Sequence, residues 1–196
     1  MGEIVQKEIK SLIEEHIKVS EKLLDEKTLL LIEDIADIMV DTYKNGNKVI
    51  VFGNGGSAAD AQHFVAELVC RFEKNRSALP AIALTTNTST LTAIGNDFSF
   101  DDVFSRQIAA FAKENDLVIG ISTSGNSPNV LKAIDEANLL KARTIGFSGE
   151  KGAKLKDKVD KCFCAPSTAT GRIQECHILV IHILCRLVEN ALFAEK

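Results

Sequence analysis

The run from Lys48 to Leu68, KVIVFGNGGSAADAQHFVAEL, constrains the fold more than any other. Val49, Ile50, Val51 and Phe52 place β-branched and aromatic residues side by side, which predicts a strand. Gly53, Gly55 and Gly56 then allow a tight turn with exposed backbone, and Ser57 is positioned to cap the helix that follows. A hydroxyl beside the free first-turn N–H groups of a helix is an anion cradle. Along that helix Asp60, His63 and Glu67 stand three and four residues apart and share one face. Cradle and acid/base pair ride on one rigid element, the nucleus of a site.

The alternation that begins at Lys48 sets the fold class. Strands are expected at 49–52, 81–84, 117–121, 144–147 and 161–165. Helices are expected over 57–73, near Leu91, from after Asn96-Asp97 through Phe111, over 128–140 with Ser127 as cap, and from Ile173 to Leu192. Strands separated by helical crossovers predict an α/β chain: a three-layer αβα sandwich around a parallel five-stranded sheet. Two helices come earlier, over 3–25 and from Thr28 to Tyr43, so neither is a crossover within the sheet. The first has little to bury against unless it packs on the flank or on another subunit, which predicts an oligomer. With 196 residues there is material for one substantial core. Residues 1–196 therefore read as a single domain, the helices of 1–45 packing on it and on neighbouring subunits.

Several function classes are disfavoured. A formal charge of −4 with no arginine- or lysine-rich block argues against nucleic acid. MGEIVQKEIKSLIEEH lacks the apolar core of a signal peptide, and no window is long enough to span a membrane, so a cytoplasmic location is expected. GNGGS has the wrong spacing for a dinucleotide fingerprint and no GK[ST] ending, so no nucleotide is expected. The five cysteines include no CxxC. Cys162 and Cys164, two apart in a strand-like run, point to one face and read as reduced thiols.

A second turn repeats the design of the first. In Ser122-Thr123-Ser124-Gly125-Asn126-Ser127-Pro128, four hydroxyls lie within six residues beside a helix start, which suits the several donors a phosphate monoester needs. Glu67 is flanked by Val65, Ala66, Leu68 and Val69, where an idle carboxylate is costly to bury. In RIQECHILVIHIL, Gln174 and His182 share a face two turns apart, while His177 is turned away. His63, Glu67, Gln174 and His182 form a set that either holds a divalent ion such as zinc or performs acid/base work on a sugar without metal.

These motifs resemble the sugar isomerase (SIS) domain, and within it the bacterial phosphoheptose isomerases. The resemblance spans nearly the whole chain and is most specific in HFVAEL, GNDFSFDDVFSRQ and RIQECHILVIH. It implies aldose–ketose isomerisation of sedoheptulose 7-phosphate to D-glycero-D-manno-heptose 7-phosphate, which leads toward lipopolysaccharide or another heptose-containing glycan. It also implies a homotetramer with sites at subunit boundaries. Phosphate contacts fall on Ser57, Ser122, Thr123, Ser124 and Ser127, and sugar contacts on Asn54 and Asp97. Gly55, Gly56, Asn96, Glu67 and Gln174 complete the implied substrate set. General-base work falls on Glu67, acid/base work on His182, and in zinc-bound members the ligands fall on His63, Glu67, Gln174 and His182. A sister branch that binds the replication initiator, and SIS isomerases of other sugar phosphates, are the alternatives. The initiator-binding branch lacks the residues matching Glu67 and His182. Gly171 stands where some heptose isomerases carry an acidic residue.

Overall fold

A computed structural model describes residues 2–194 of the protein. Its strands are β1 (Val49–Gly53), β2 (Ala81–Ala83), β3 (Leu117–Ile121), β4 (Arg143–Ser148) and β5 (Lys161–Cys164). They pair in parallel throughout, in the order β2-β1-β3-β4-β5, so the expected five-stranded α/β sheet is present. The chain winds outward from β1 in both directions, and the turns after β1 and β3 meet at the carboxyl edge, where such sheets bind ligands.

Strand alternation divides the interior into two cores. Val49, Val51, Leu117, Ile119, Ile121, Ile145, Phe147 and Phe163 face one side. That face is covered by α2 (Glu26–Lys44), α3 (Gly56–Val69) and α8 (Thr170–Leu192). Ile50, Phe52 and Val118 face the other, under α4 (Thr88–Asp97), α5 (Ser105–Phe111) and α6 (Pro128–Leu139). A β-carbon at Gly120 would lie 3.1 Å from Val130, so glycine there lets α6 settle closely on the sheet.

The element limits differ from the sequence reading in instructive places. Asp25, not Thr28, caps α2, its carboxylate accepting from the N–H groups of Lys27 and Thr28. Gly55, not Ser57, occupies the cap position of α3, because the chain turns there at φ +57°, a conformation that favours glycine. Ser57 is drawn into the first helical turn and buried. Ser127 does precede α6, yet its side chain makes no capping bond. Helix α3 ends at Val69 rather than 73, Asn96-Asp97 close α4 while the helix expected after them is α5, starting at Ser105 and ending at Phe111, and α8 starts at Thr170 rather than Ile173. A one-turn helix, α7 (Ala153–Lys156), was not anticipated.

The two leading helices behave differently. Helix α2 buries Ile32, Ile35, Ala36 and Met39 and is a full member of its layer. Helix α1 (Gly2–Glu21) touches α8 through His16 Nδ1 and Glu175 Oε2 at 2.7 Å, and through Arg172 Nη1 donating to the Leu12 carbonyl. Its apolar residues Ile4, Val5, Ile9, Leu12, Ile13 and Ile17 remain exposed, Ile4 at 74%. Among the described residues no helix is long and apolar enough to cross a membrane.

Candidate active site

The anion cradle is built from the two turns at the carboxyl edge. After β3, Ser122 Oγ lies 2.9 Å from Ser127 Oγ and 3.4 Å from Ser124 Oγ, so three of the expected hydroxyls converge. Gly125 turns the loop at φ +64°, packed against the Gly152 carbonyl, where a β-carbon would collide. Thr123 and Ser124 line a cleft of about 170 Å³ together with Ser148, Gly149, Gly152 and Ser167. Pro128 opens α6, whose first-turn N–H groups lack intrahelical partners. After β1, the Ser57 N–H donates to the Asn54 carbonyl, folding the glycine turn back on itself. The Gln174 amide lies against Gly56 so closely that a side chain there would displace it.

The acid/base set lies farther along the same helices. His63 Nε2 faces His182 Nε2 at 2.9 Å, and Glu67 Oε1 is 3.5 Å from His63 Nε2. His182 also stacks on Phe72, ring centroids 5.6 Å apart. Glu67 keeps 21% of its side chain exposed and His63 44%, so both are open to a ligand. Asp60 shares this face, as its spacing predicts. Burial pushes its carboxyl up to about 6, against the opposing pull of His63, and one carboxylate oxygen is buried without a hydrogen-bond partner.

The helix rise separates the two centres. Ser57 and Glu67 are ten residues apart on α3, about 15 Å along its axis at 1.5 Å per residue. Gln174 stays with the cradle at Gly56, two turns short of His182. Asn96 and Asp97 stand exposed at the end of α4, hydrogen-bonded to each other at 2.8 Å and outside the residues that line the serine cleft.

The donor types suit zinc. Two imidazole nitrogens that face each other at 2.9 Å need a proton or a cation between their lone pairs, and a carboxylate stands beside them. Among the described residues, no three His, Cys, Asp or Glu side chains stand in ligand geometry.

Comparison with known proteins identifies the family. The SIS domain model matches residues 13–149. The phosphoheptose isomerase of Citrifermentans bemidjiense is 53% identical over 188 residues, covering 96% of this chain and 97% of its own. That of Aneurinibacillus thermoaerophilus is 50% identical over 189 residues, covering 96% of each. The chain belongs to the phosphoheptose isomerases of the SIS domain family. A solved phosphoheptose isomerase from Francisella tularensis superposes with a TM-score of 0.91 at 37% identity, covering 95% of this chain and 98% of that one. One from Neisseria gonorrhoeae gives 0.89 at 40% identity, covering 95% and 99%.

Within this SIS domain, three features escape a reading by motif. Asn129 is buried, and its side-chain amide exchanges two hydrogen bonds with that of Asn54, at 2.9 and 3.0 Å, locking the two turns together. Only its place right after Ser127-Pro128 hints at this. Arg76 donates to the Glu67 and Leu68 carbonyls and to buried Glu189, closing the end of α3. Burial raises the Glu189 pKa, but N–H groups of Glu73, Lys74 and Phe72 and the Arg76 guanidinium bring it down to about 2. Arg76 is thus a positioning residue for the helix end that carries Glu67. The third feature is His177, fully buried with Nε2 donating to the Ser148 carbonyl at 3.0 Å.

Proposed function

We propose that the chain interconverts sedoheptulose 7-phosphate and D-glycero-D-manno-heptose 7-phosphate through a cis-enediol. The observation that carries this reading is the convergence of Glu67, His63 and His182 from two helices, one of which begins at a hydroxyl-rich carboxyl edge suited to phosphate. Ser57, Ser122, Thr123, Ser124 and Ser127, with the helix-start N–H groups, hold the phosphate end. Asn54, Asn96, Asp97 and Gln174 contact the sugar. Glu67 removes the proton from C1 of the open-chain ketose and returns it at C2. His182 moves a proton between O1 and O2, so the hydroxyl and carbonyl exchange places with no net gain of protons. Holding the remote phosphate positions the reacting carbons.

Zinc, by the donor types present, would be held by His63, Glu67 and His182 and would supply Lewis-acid polarisation of the substrate oxygens; Gln174, two turns short of His182 within one chain, would join them only from a neighbouring subunit. We also place the working site between subunits of a homotetramer. Two observations support this. An extended heptose phosphate reaches about 10 Å from C1 to phosphorus, using carbon–carbon bonds of about 1.5 Å, which is less than the rise from Ser57 to Glu67. The exposed apolar face of α1 supplies a surface for assembly.

The test is incubation of zinc-replete protein with sedoheptulose 7-phosphate and identification of the product by nuclear magnetic resonance. The expected product is the manno-configured aldose 7-phosphate. Recovery of unchanged ketose, or faster turnover of a shorter sugar phosphate in a parallel assay, would overturn the assignment.

A further inference from the structure

The isomerase chemistry leaves Cys162 and Cys164 without a role. Both sit on β5, the edge strand, opposite Gly146 and Ser148 of β4. Alternation puts both thiols on one face, and they are hydrogen-bonded with Sγ···Sγ at 3.7 Å. Each is half-buried and a free thiol, so small reagents reach them from solvent. Their neighbours are tight: a β-carbon at Gly152 would lie 3.0 Å from Cys164 Sγ, and one at Gly146 would lie 3.2 Å from Cys162 Sγ. Gly152 lines the serine cleft, so the thiols pack beneath the turn that borders the anion cradle.

We propose that Cys162 and Cys164 form a peroxide-reactive dithiol, which closes to an intrastrand disulfide at the margin of the cradle. Three features support it. The sulfurs already touch, an edge strand is tied on one side only and can pucker, and the two thiols differ in acidity. The hydrogen bond between them brings the Cys164 thiol down to about 7 against the opposing effect of burial, while the same bond, and then burial, raises Cys162. Cys164 is therefore the thiolate and Cys162 the resolving thiol.

The reaction balances with hydrogen peroxide as oxidant. Cys164 thiolate attacks one peroxide oxygen, the O–O bond breaks, and the departing hydroxide takes a proton to become water, leaving a sulfenic acid. Cys162 sulfur then attacks Cys164 sulfur, the S–O bond breaks, and hydroxide leaves with the Cys162 proton as a second water. Two thiols are oxidised, and one peroxide is reduced to two waters.

The experiment uses the full chain carrying Cys70→Ser, which removes an exposed thiol outside the proposed machinery. Protein is treated with hydrogen peroxide, remaining thiols are alkylated, and peptides are weighed. The expected product is a peptide spanning Cys162 and Cys164 that is two hydrogens lighter, unalkylated, and restored by dithiothreitol. In Cys162→Ser, Cys164 stops at a sulfenic acid that dimedone captures, whereas Cys164→Ser leaves Cys162 unoxidised at the same dose. Full alkylation of both thiols after peroxide, a disulfide between two chains, or equal reactivity of the two single variants would overturn the proposal. The Cys70→Ser result alone decides the pairing if either further variant fails to fold.

Discussion

His177 and His182 are five residues apart on α8, yet they occupy opposite environments. Five residues turn a helix by about 140° relative to the starting face, enough to carry a side chain from core to cleft. His177 sits among Phe147 and Phe163, ring centroids 5.6 and 6.0 Å away, and gives its Nε2 proton to a backbone carbonyl. Burial pushes its pKa down to about 4, outweighing the hydrogen bond to Ser148, which favours the charged form. His182 instead presents Nε2 to His63 beside Glu67. The comparison teaches that residue type does not mark a working histidine. What marks it is which ring nitrogen remains free to face another titratable group.

The strongest way to break this contrast is His182→Asn. It is expected to lower kcat by about 10²–10⁴-fold with a small change in KM, as removal of a positioned acid/base group does. Steady-state kinetics on the folded variant checks it, and an unchanged kcat would make the two histidines equivalent. Next in size is His177→Ala, expected to destabilise the fold by about 2–4 kcal/mol through cavity formation and loss of the Ser148 contact. Folded His177→Ala retains kcat; urea unfolding beside kinetics separates the two effects.

Ser127→Ala examines the cradle against the acid/base pair. Losing a hydroxyl bond to a charged phosphate is expected to raise KM about tenfold to hundredfold and leave kcat nearly unchanged. A fall in kcat of the same size would place Ser127 with the chemistry instead. The smallest effect sharpens the difference in burial. The unfolded chain protonates His177 near pH 6.5 while the folded protein resists until about pH 4. Its contribution is complete above pH 6.5 and is lost as pH falls toward 4. Unfolding at pH 7.5 and pH 5 should show a smaller decline for His177→Ala than for the parent.

Much of this was legible in the sequence because its signals are local. The apolar runs at 49–52 and 117–121 give buried parallel strands, and the spacing of His63 with Glu67 gives a shared helix face. What escaped depends on backbone conformation or on partners far away in the chain. Ser57 has the right chemistry for a cap, but a left-handed turn at position 55 decides which residue occupies it. Asn129 meets Asn54 across 75 residues, and Arg76 meets Glu189 across 113, so neither pairing leaves a spacing to read. Cradle and acid/base pair do share α3, as its sequence says, yet the rise of the helix sets them at opposite ends.

Replacing Glu67 with glutamine reaches the chemistry most directly, since the amide keeps the shape of the side chain and loses its basicity. With the variant's fold and assembly verified, turnover of sedoheptulose 7-phosphate should fall at least about a hundredfold while phosphate-end binding persists. Turnover equal to the parent protein's would contradict proton abstraction at this position and leave the paired helices without their assigned chemistry.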